Sequence, residues 1–421
     1  MTARTTRTAV TRSLMVAGAL AAAATGLIAG PVSQMIDPSV TATDWPGFGG
    51  DGREQHYAPM TDINLSTVGK LGLAWHYDLP PGFTVGTPVA AEGKLFVVTG
   101  HARIRAFDAA SGKLLWEFDG KVTEKFSDPL HLGWGTKGLA YWNGRVVTMT
   151  SDGRLFALDA KTGKTLWEKS DFDDPREVRY TLGAPRIFGG KVIVGHGGAD
   201  ITPIRGYVTA YDVMTGKRLW RFHTVPGDPS KPADSKGEAV MRPTWKGDWY
   251  GKGGGGTVWN AMSYDAKLNL IYLGVGNGYP YQQKLRSPGG GDNLFLASIV
   301  AVNATTGDYV WHYQTCPAEQ WDCTATMDMT LADLVIDGKP RKVLMQAPKN
   351  GFMYVIDRVT GQFISAEKFA KVTWASHIDP ATGRPVENPG IRYEKTGQMF
   401  ELWPGPQGAH SWLPQAFSPQ T

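Results

Sequence analysis

Cysteine is nearly absent: the 421 residues hold two, Cys316 and Cys323, and no Cys-x-x-Cys-His haem-attachment pattern occurs. That excludes a disulfide-scaffolded fold and a covalent haem within this stretch. The pair itself fits either a short disulfide loop around Trp321 and Asp322, in an oxidising compartment, or two free buried thiols. Charge of one sign is also scarce, 43 Lys and Arg against 39 Asp and Glu for a net of +4. With no basic run interleaved with aromatics, nucleic acid is a poor candidate partner. Beyond the N-terminus no apolar pattern of helical period is sustained, which argues against a helix-built body.

Turn and indole residues are plentiful instead: 52 Gly, 27 Pro and 15 Trp. They fall into near copies of one phrase, Ala106-Phe-Asp-Ala-Ala-Ser-Gly-Lys-Leu-Leu-Trp116, Ala157-Leu-Asp-Ala-Lys-Thr-Gly-Lys-Thr-Leu-Trp167, Ala210-Tyr-Asp-Val-Met-Thr-Gly-Lys-Arg-Leu-Trp220 and Ala301-Val-Asn-Ala-Thr-Thr-Gly-Asp-Tyr-Val-Trp311. Self-similarity at a recurring spacing indicates a repeat architecture. Each copy reads as a strand, a tight turn whose Asp or Asn side chain bonds the turn backbone and whose Gly takes positive φ, and a second strand. The closing Trp is large and flat, suited to wedge one unit against the next while its indole N–H reaches a backbone acceptor. A fifth copy, Val355 to Ser365, has lost its Trp, and Leu73-Ala-Trp75 resembles the end of an earlier unit.

A second phrase, apolar strand, Gly, apolar strand, precedes most copies: Thr87 to Val98, Lys137 to Val147 and Gly183 to Val194. Together the phrases predict four short strands per unit and one large all-β body, a β-propeller rather than a sandwich of unrelated hairpins, because radial repetition manages sheet edges and accounts for the repeat.

Arg4, Arg7 and Arg12 precede the apolar, small-residue run Leu14 to Gly30, which fits a signal peptide or a retained N-terminal anchor over residues 1–30, followed by a linker at 31–44. Either places the propeller, 45–421, outside the cytoplasm.

Between Trp220 and Trp311 the sequence departs from the repeat: Gly253-Gly-Gly-Gly-Thr-Val-Trp259, then Gly276-Asn-Gly278, then Ser287-Pro-Gly-Gly-Gly-Asp-Asn293. Four consecutive glycines cost backbone entropy and suggest that something flat or bulky lies against the main chain. Glu319-Gln-Trp-Asp322 brings carboxylates past a strand end, and Gln346-Ala-Pro-Lys349 a cation.

With those phrases, Trp45-Pro-Gly, Thr224 to Pro232, Leu285 to Phe295, Val343 to Gly351 and Gly408-Ala-His-Ser-Trp412, the chain from about Trp45 onward resembles the pyrroloquinoline quinone (PQQ)-dependent alcohol dehydrogenases, most closely the alcohol dehydrogenase and quinohaemoprotein branch. The resemblance implies an eight-bladed propeller with PQQ in a central funnel beside a divalent metal, usually calcium. It also implies oxidation of alcohols to aldehydes or ketones, with electrons passing to a separate periplasmic acceptor such as a cytochrome c. By position, Trp259 matches the indole on which PQQ stacks, and Thr257, Gly197 and Gly198 match cofactor-contacting positions. Asp200, Asn277 and Asp322 match the metal ligands, oxygen donors as a hard cation requires. Asp322 also matches the general base for the hydroxyl proton, and Lys349 the cation that bonds the quinone oxygens. Lys137 stands where an Arg pairs a PQQ carboxylate, keeping charge without the bidentate fork. The bland roles beside these are an inter-blade wedge for Trp259, a turn residue for Asn277 and a solvated charge for Lys349.

The chain departs from the family's pattern in several places. Asp200 replaces a Glu, Val85 a Glu, Leu182 a Thr and Ser411 an Asn, and in place of an adjacent Cys-Cys pair stands Pro129 to Thr136, where Trp134 is expected to fill the space. Thr324 lacks the carboxylate of lanthanide-using members, which favours calcium. Five complete units with a partial one at each end predict an incomplete propeller of five to six blades, C-terminally truncated. The competing expectation is a non-catalytic propeller, an envelope scaffold or inactive fragment, since repeats serve fold rather than chemistry.

Overall fold

The computed structural model describes residues 43–80, 86–122, 136–173, 179–181, 183–198 and 202–421. The expected export segment and most of the linker therefore lie outside the described residues, as do Val85, Trp134, Leu182 and Asp200. Among the described residues no helix is long and apolar enough to cross a membrane.

Strands β1 (Val89–Ala91), β2 (Lys94–Thr99), β3 (Arg103–Asp108) and β4 (Leu114–Asp119) form an antiparallel meander in chain order. The plan recurs in β5 (Ala140–Trp142), β6 (Arg145–Met149), β7 (Arg154–Asp159) and β8 (Thr165–Ser170), and in β9 (Arg186–Phe188), β10 (Lys191–Gly195), β11 (Tyr207–Asp212) and β12 (Arg218–His223). In the fourth sheet a two-stranded ladder, β13 (Gly254–Gly255) with β16 (Gly278–Tyr279), is added to β14 (Met262–Asp265), β15 (Leu270–Gly274), β17 (Ser298–Asn303) and β18 (Tyr309–Gln314). The fifth sheet is β19 (Met329–Ile336), β20 (Lys339–Gln346), β21 (Phe352–Asp357) and β22 (Phe363–Lys368), and a hairpin of β23 (Ala375–Ile378) and β24 (Pro385–Glu387) follows. First strands lie beside first strands, β1 near β5, β5 near β9 and β14 near β19, so each meander starts at a common axis and runs outward. This is the expected all-β propeller, with five four-stranded blades and a further hairpin among the described residues.

The rim turns follow the sequence phrase atom for atom. Asp108 Oδ1 accepts the amide and hydroxyl of Ser111 at 2.8 and 2.6 Å, and Asp159, Asp212 and Asp357 do the same for Thr162, Thr215 and Thr360. These bonds hold the Asp108 and Asp159 carboxyls below the usual range. Gly112, Gly163, Gly216, Gly307 and Gly361 all have φ between +67° and +77°. Each lies on the indole of the preceding unit, where a Cβ would come within 2.5 to 2.9 Å of Trp75, Trp116, Trp167, Trp220 and Trp311 respectively. Trp75, Trp116, Trp167 and Trp220 donate their indole N–H to Ala109, Ala160, Val213 and Ala304 carbonyls at 3.0–3.2 Å.

Trp311 breaks the pattern. Its N–H has no partner, and the carbonyl at the matching position, Arg358, accepts the Tyr272 hydroxyl. Trp75 does wedge onto the first blade, although no strand accompanies it among the described residues. A sixth copy of the turn, Asp379 to Gly383, closes the β23–β24 hairpin and escaped the sequence reading, because Phe363 rather than Trp packs on its glycine.

Residues 45–56 cross from blade to blade. Trp45 exchanges backbone bonds with Ala90, Pro46 accepts from Tyr141, Gly52 from Tyr264 and Arg53 from Leu331, while Glu54 pairs with Arg186. This segment therefore bonds to all five blades.

Candidate active site

The glycine run comes first, because it shapes the backbone around Trp259. Gly253 to Gly256 all have φ between +71° and +85°. A Cβ on Gly253 would meet the Pro203–Ile204 backbone, on Gly255 the Asn277 carbonyl, and on Gly254 or Gly256 the Val225 side chain, all within 2.7 Å. The chain's own close packing thus accounts for the run without a bound group. Gly197 has a similar explanation, since its Cβ would strike the Tyr180 ring at 2.4 Å, and Gly198 sits at φ +109°.

Backbone bonds then link the candidate residues in series. Gly256 N–H donates to Asn277 O at 2.8 Å, and Gly276 N–H donates to Thr257 O at 2.9 Å, joining the Trp259 and Asn277 loops. Glu319 joins the Asn277 loop to the Asp322 loop: its Oε2 accepts Gly278 N–H at 3.0 Å, and its Oε1 accepts Trp321 N–H at 2.8 Å and Cys323 N–H at 3.1 Å. Lys349 Nζ donates to Asp322 Oδ2 at 2.7 Å, and both side chains are largely buried. Lys349 is therefore an ion-paired cation, not a solvated charge. Cys316 and Cys323 are bonded as a disulfide, so the loop carrying Asp322 is covalently closed.

Lys137, 3% exposed, places Nζ 4.4 Å from the centre of the Trp259 ring and 4.0 Å from that of Trp412. Burial lowers its pKa to about 6, against the opposing pull of Asp328. The Gly408–Trp412 phrase reaches this point because Ala409 N–H donates to Lys349 O and His410 bonds Ala347 O. Trp259 thus presents a ring face to a cation, a different role from the rim wedges.

The donor set suits a hard cation and a flat acid. Asn277 is 2% exposed, and the buried Thr324 hydroxyl, two residues past Asp322 and next to Gly276, has no partner. Amide, carboxylate and hydroxyl oxygens are calcium ligands. Asp200, the third expected ligand, lies outside the described residues.

Sequence reasoning missed a second buried polar group. Glu54, His56 and Asp328 bring ligand-type atoms within 4.8 Å of one another, with His56 Nε2 3.1 Å from Asp328 Oδ2. Glu54 also pairs with Arg186 at 2.8 Å, yet burial raises its carboxyl to about 7. No spacing in the sequence joins residue 54 to residue 328.

A meandering propeller with an indole, two buried oxygen-donor loops and paired lysines at its axis defines a quinoprotein-type β-propeller. Residues 45–373 match the family described as PQQ: Glucose/ethanol/alcohol dehydrogenase, beta-propeller domain, and the chain belongs to this PQQ-dependent alcohol dehydrogenase family. It is 50% identical over 380 residues to quinohemoprotein alcohol dehydrogenase ADH IIB of Pseudomonas putida, covering 90% of this chain and 54% of that protein. Over 420 residues it is 45% identical to ADH-IIG of the same organism, covering 97% and 58%. The solved quinohemoprotein alcohol dehydrogenase from Comamonas testosteroni superposes with a TM-score of 0.87 at 45% identity, over 91% of this chain and 57% of that one. The chain thus spans little more than half the length of these relatives.

Proposed function

We propose that this chain carries the axial site of an exported quinoprotein alcohol dehydrogenase, oxidising alcohols to aldehydes or ketones with PQQ and calcium and passing electrons to a cytochrome c or another periplasmic acceptor. The observation that carries the reading is the series of bonds that ties the Gly256–Thr257 stretch before Trp259 to the Asn277 loop, that loop through Glu319 to the amides flanking Asp322, and Asp322 to Lys349. The basic N-terminus before the apolar run Leu14 to Gly30 supports export.

Bound PQQ supplies the two-electron acceptor, and calcium the positive charge that strengthens it. Trp259 offers the flat face for stacking, and Thr257, Gly197 and Gly198 are the further cofactor contacts. Lys137, poised between two indoles and neutral above about pH 6 in the cofactor-free chain, takes up a proton to pair with a cofactor carboxylate. Asn277 and Asp322 supply oxygens to the metal, with Asp200 as the third ligand. Asp322 takes the alcohol's hydroxyl proton, and Lys349 fixes the direction of that carboxylate through its 2.7 Å bond.

The test is reconstitution with PQQ and calcium followed by alcohol-dependent dye reduction. Turnover is the expected result; cofactor uptake without turnover, or no uptake, returns the chain to the non-catalytic reading.

A further inference from the structure

Asp322 sits at φ +60°, a left-handed conformation that a non-glycine residue adopts only when its surroundings impose it. The amides on either side, Trp321 N–H and Cys323 N–H, both donate to a single oxygen, Oε1 of Glu319. The other oxygen of the same carboxylate accepts from Gly278 N–H, next to Asn277. Glu319 is fully buried. Each bond is charge-assisted and short, so each contributes more than a neutral contact would. Arg286, also fully buried, donates to the Glu319 carbonyl and to the Pro280 and Tyr281 carbonyls, supplying a positive charge and a second tie between the two loops.

We infer that Glu319 is a positioning residue that sets the distance between Asn277 and Asp322, and so the spacing of two metal-facing oxygens and the aim of the base. The inference rests on the proposed roles of those two residues. A carboxylate is needed here because all three partners are donors. An amide at 319 turns its NH2 toward either Gly278 N–H or the Trp321 and Cys323 pair, leaving donor against donor at one loop. Aspartate keeps both oxygens but is one methylene shorter and cannot reach both loops from the same backbone.

The variants are Glu319→Gln and Glu319→Asp in the full chain, with Ile356→Val, in the core of the fifth blade, as a control for general destabilisation. Two readouts are taken: hydrogen exchange of the Gly278, Trp321 and Cys323 amides, and calcium affinity in the presence of PQQ by titration calorimetry. Both Glu319 variants are expected to lose protection at Gly278 or at the Trp321 and Cys323 pair, whichever loop is left without its acceptor, and to weaken calcium by about tenfold or more. Ile356→Val leaves both readouts as in the parent chain. Unchanged exchange at the three amides, or an equal loss of calcium affinity in Ile356→Val, overturns the inference. If the parent chain takes up no calcium, the functional reading fails and the exchange decides alone: loss of protection at either loop in the Glu319 variants but not in Ile356→Val upholds the clamp, and unchanged exchange at all three amides refutes it.

Discussion

At the rim, four Asp side chains accept the same pair of donors and four indoles donate to carbonyls at matching positions, whereas at the axis each loop contributes a different residue to a different partner. The Asp bonds of the rim join residues three positions apart in every turn. Axial bonds join Gly278 to Glu319, Asp322 to Lys349, Glu54 to Arg186 and His56 to Asp328. The rim repeats because every blade must be welded to the next; the axis cannot repeat, because one ligand set needs unlike groups.

Five substitutions, in four tests, probe this division in falling order of effect. Asp322→Asn removes the proposed proton acceptor and should lower turnover of the reconstituted protein by about a hundred- to ten-thousand-fold, with the melting temperature little changed. Trp220→Ala does the reverse: loss of the buried indole should cost about 3–5 kcal/mol in denaturant unfolding, while PQQ uptake by the folded fraction persists.

Lys137→Met probes buried charge at the axis. The folded Lys137 has shed its proton above about 6, whereas the unfolded side chain keeps it to about 10.5. Between those values the unfolded state binds more protons, so Lys137 makes stability rise with pH across that window. The cofactor-free Met variant should show a flatter melting temperature over the same range. The smallest effect separates two rim positions: Trp220→Phe deletes an N–H bonded at 3.2 Å and should cost about 1 kcal/mol more than Trp311→Phe, whose N–H has no partner.

The rim was legible in the sequence because its geometry is local. The Asp, Thr and Gly of one turn are neighbours in the chain, and the Trp recurs at a fixed distance from them. The Asp379 turn escaped because its packing partner changed from Trp to Phe363. At the axis, resemblance supplied the candidate residues, and the structure joins Trp259, Asn277, Asp322 and Lys349 through backbone and carboxylate bonds. It could not show that Glu319 bridges two of those loops, or that His56 meets Asp328, since such contacts depend on how distant segments converge. The sequence could not show what crowds the glycine run, because its partners, Ile204, Val225 and Asn277, lie on other segments.

Titration of PQQ with calcium into the parent chain, Trp259→Ala and Asn277→Ala, followed by calorimetry and indole fluorescence, tests the axial site most directly. The account predicts uptake of one PQQ by the parent with quenching of indole emission, and marked weakening in both variants, whose rim and fold remain intact. No uptake by the parent, or equal uptake by all three proteins, would contradict it.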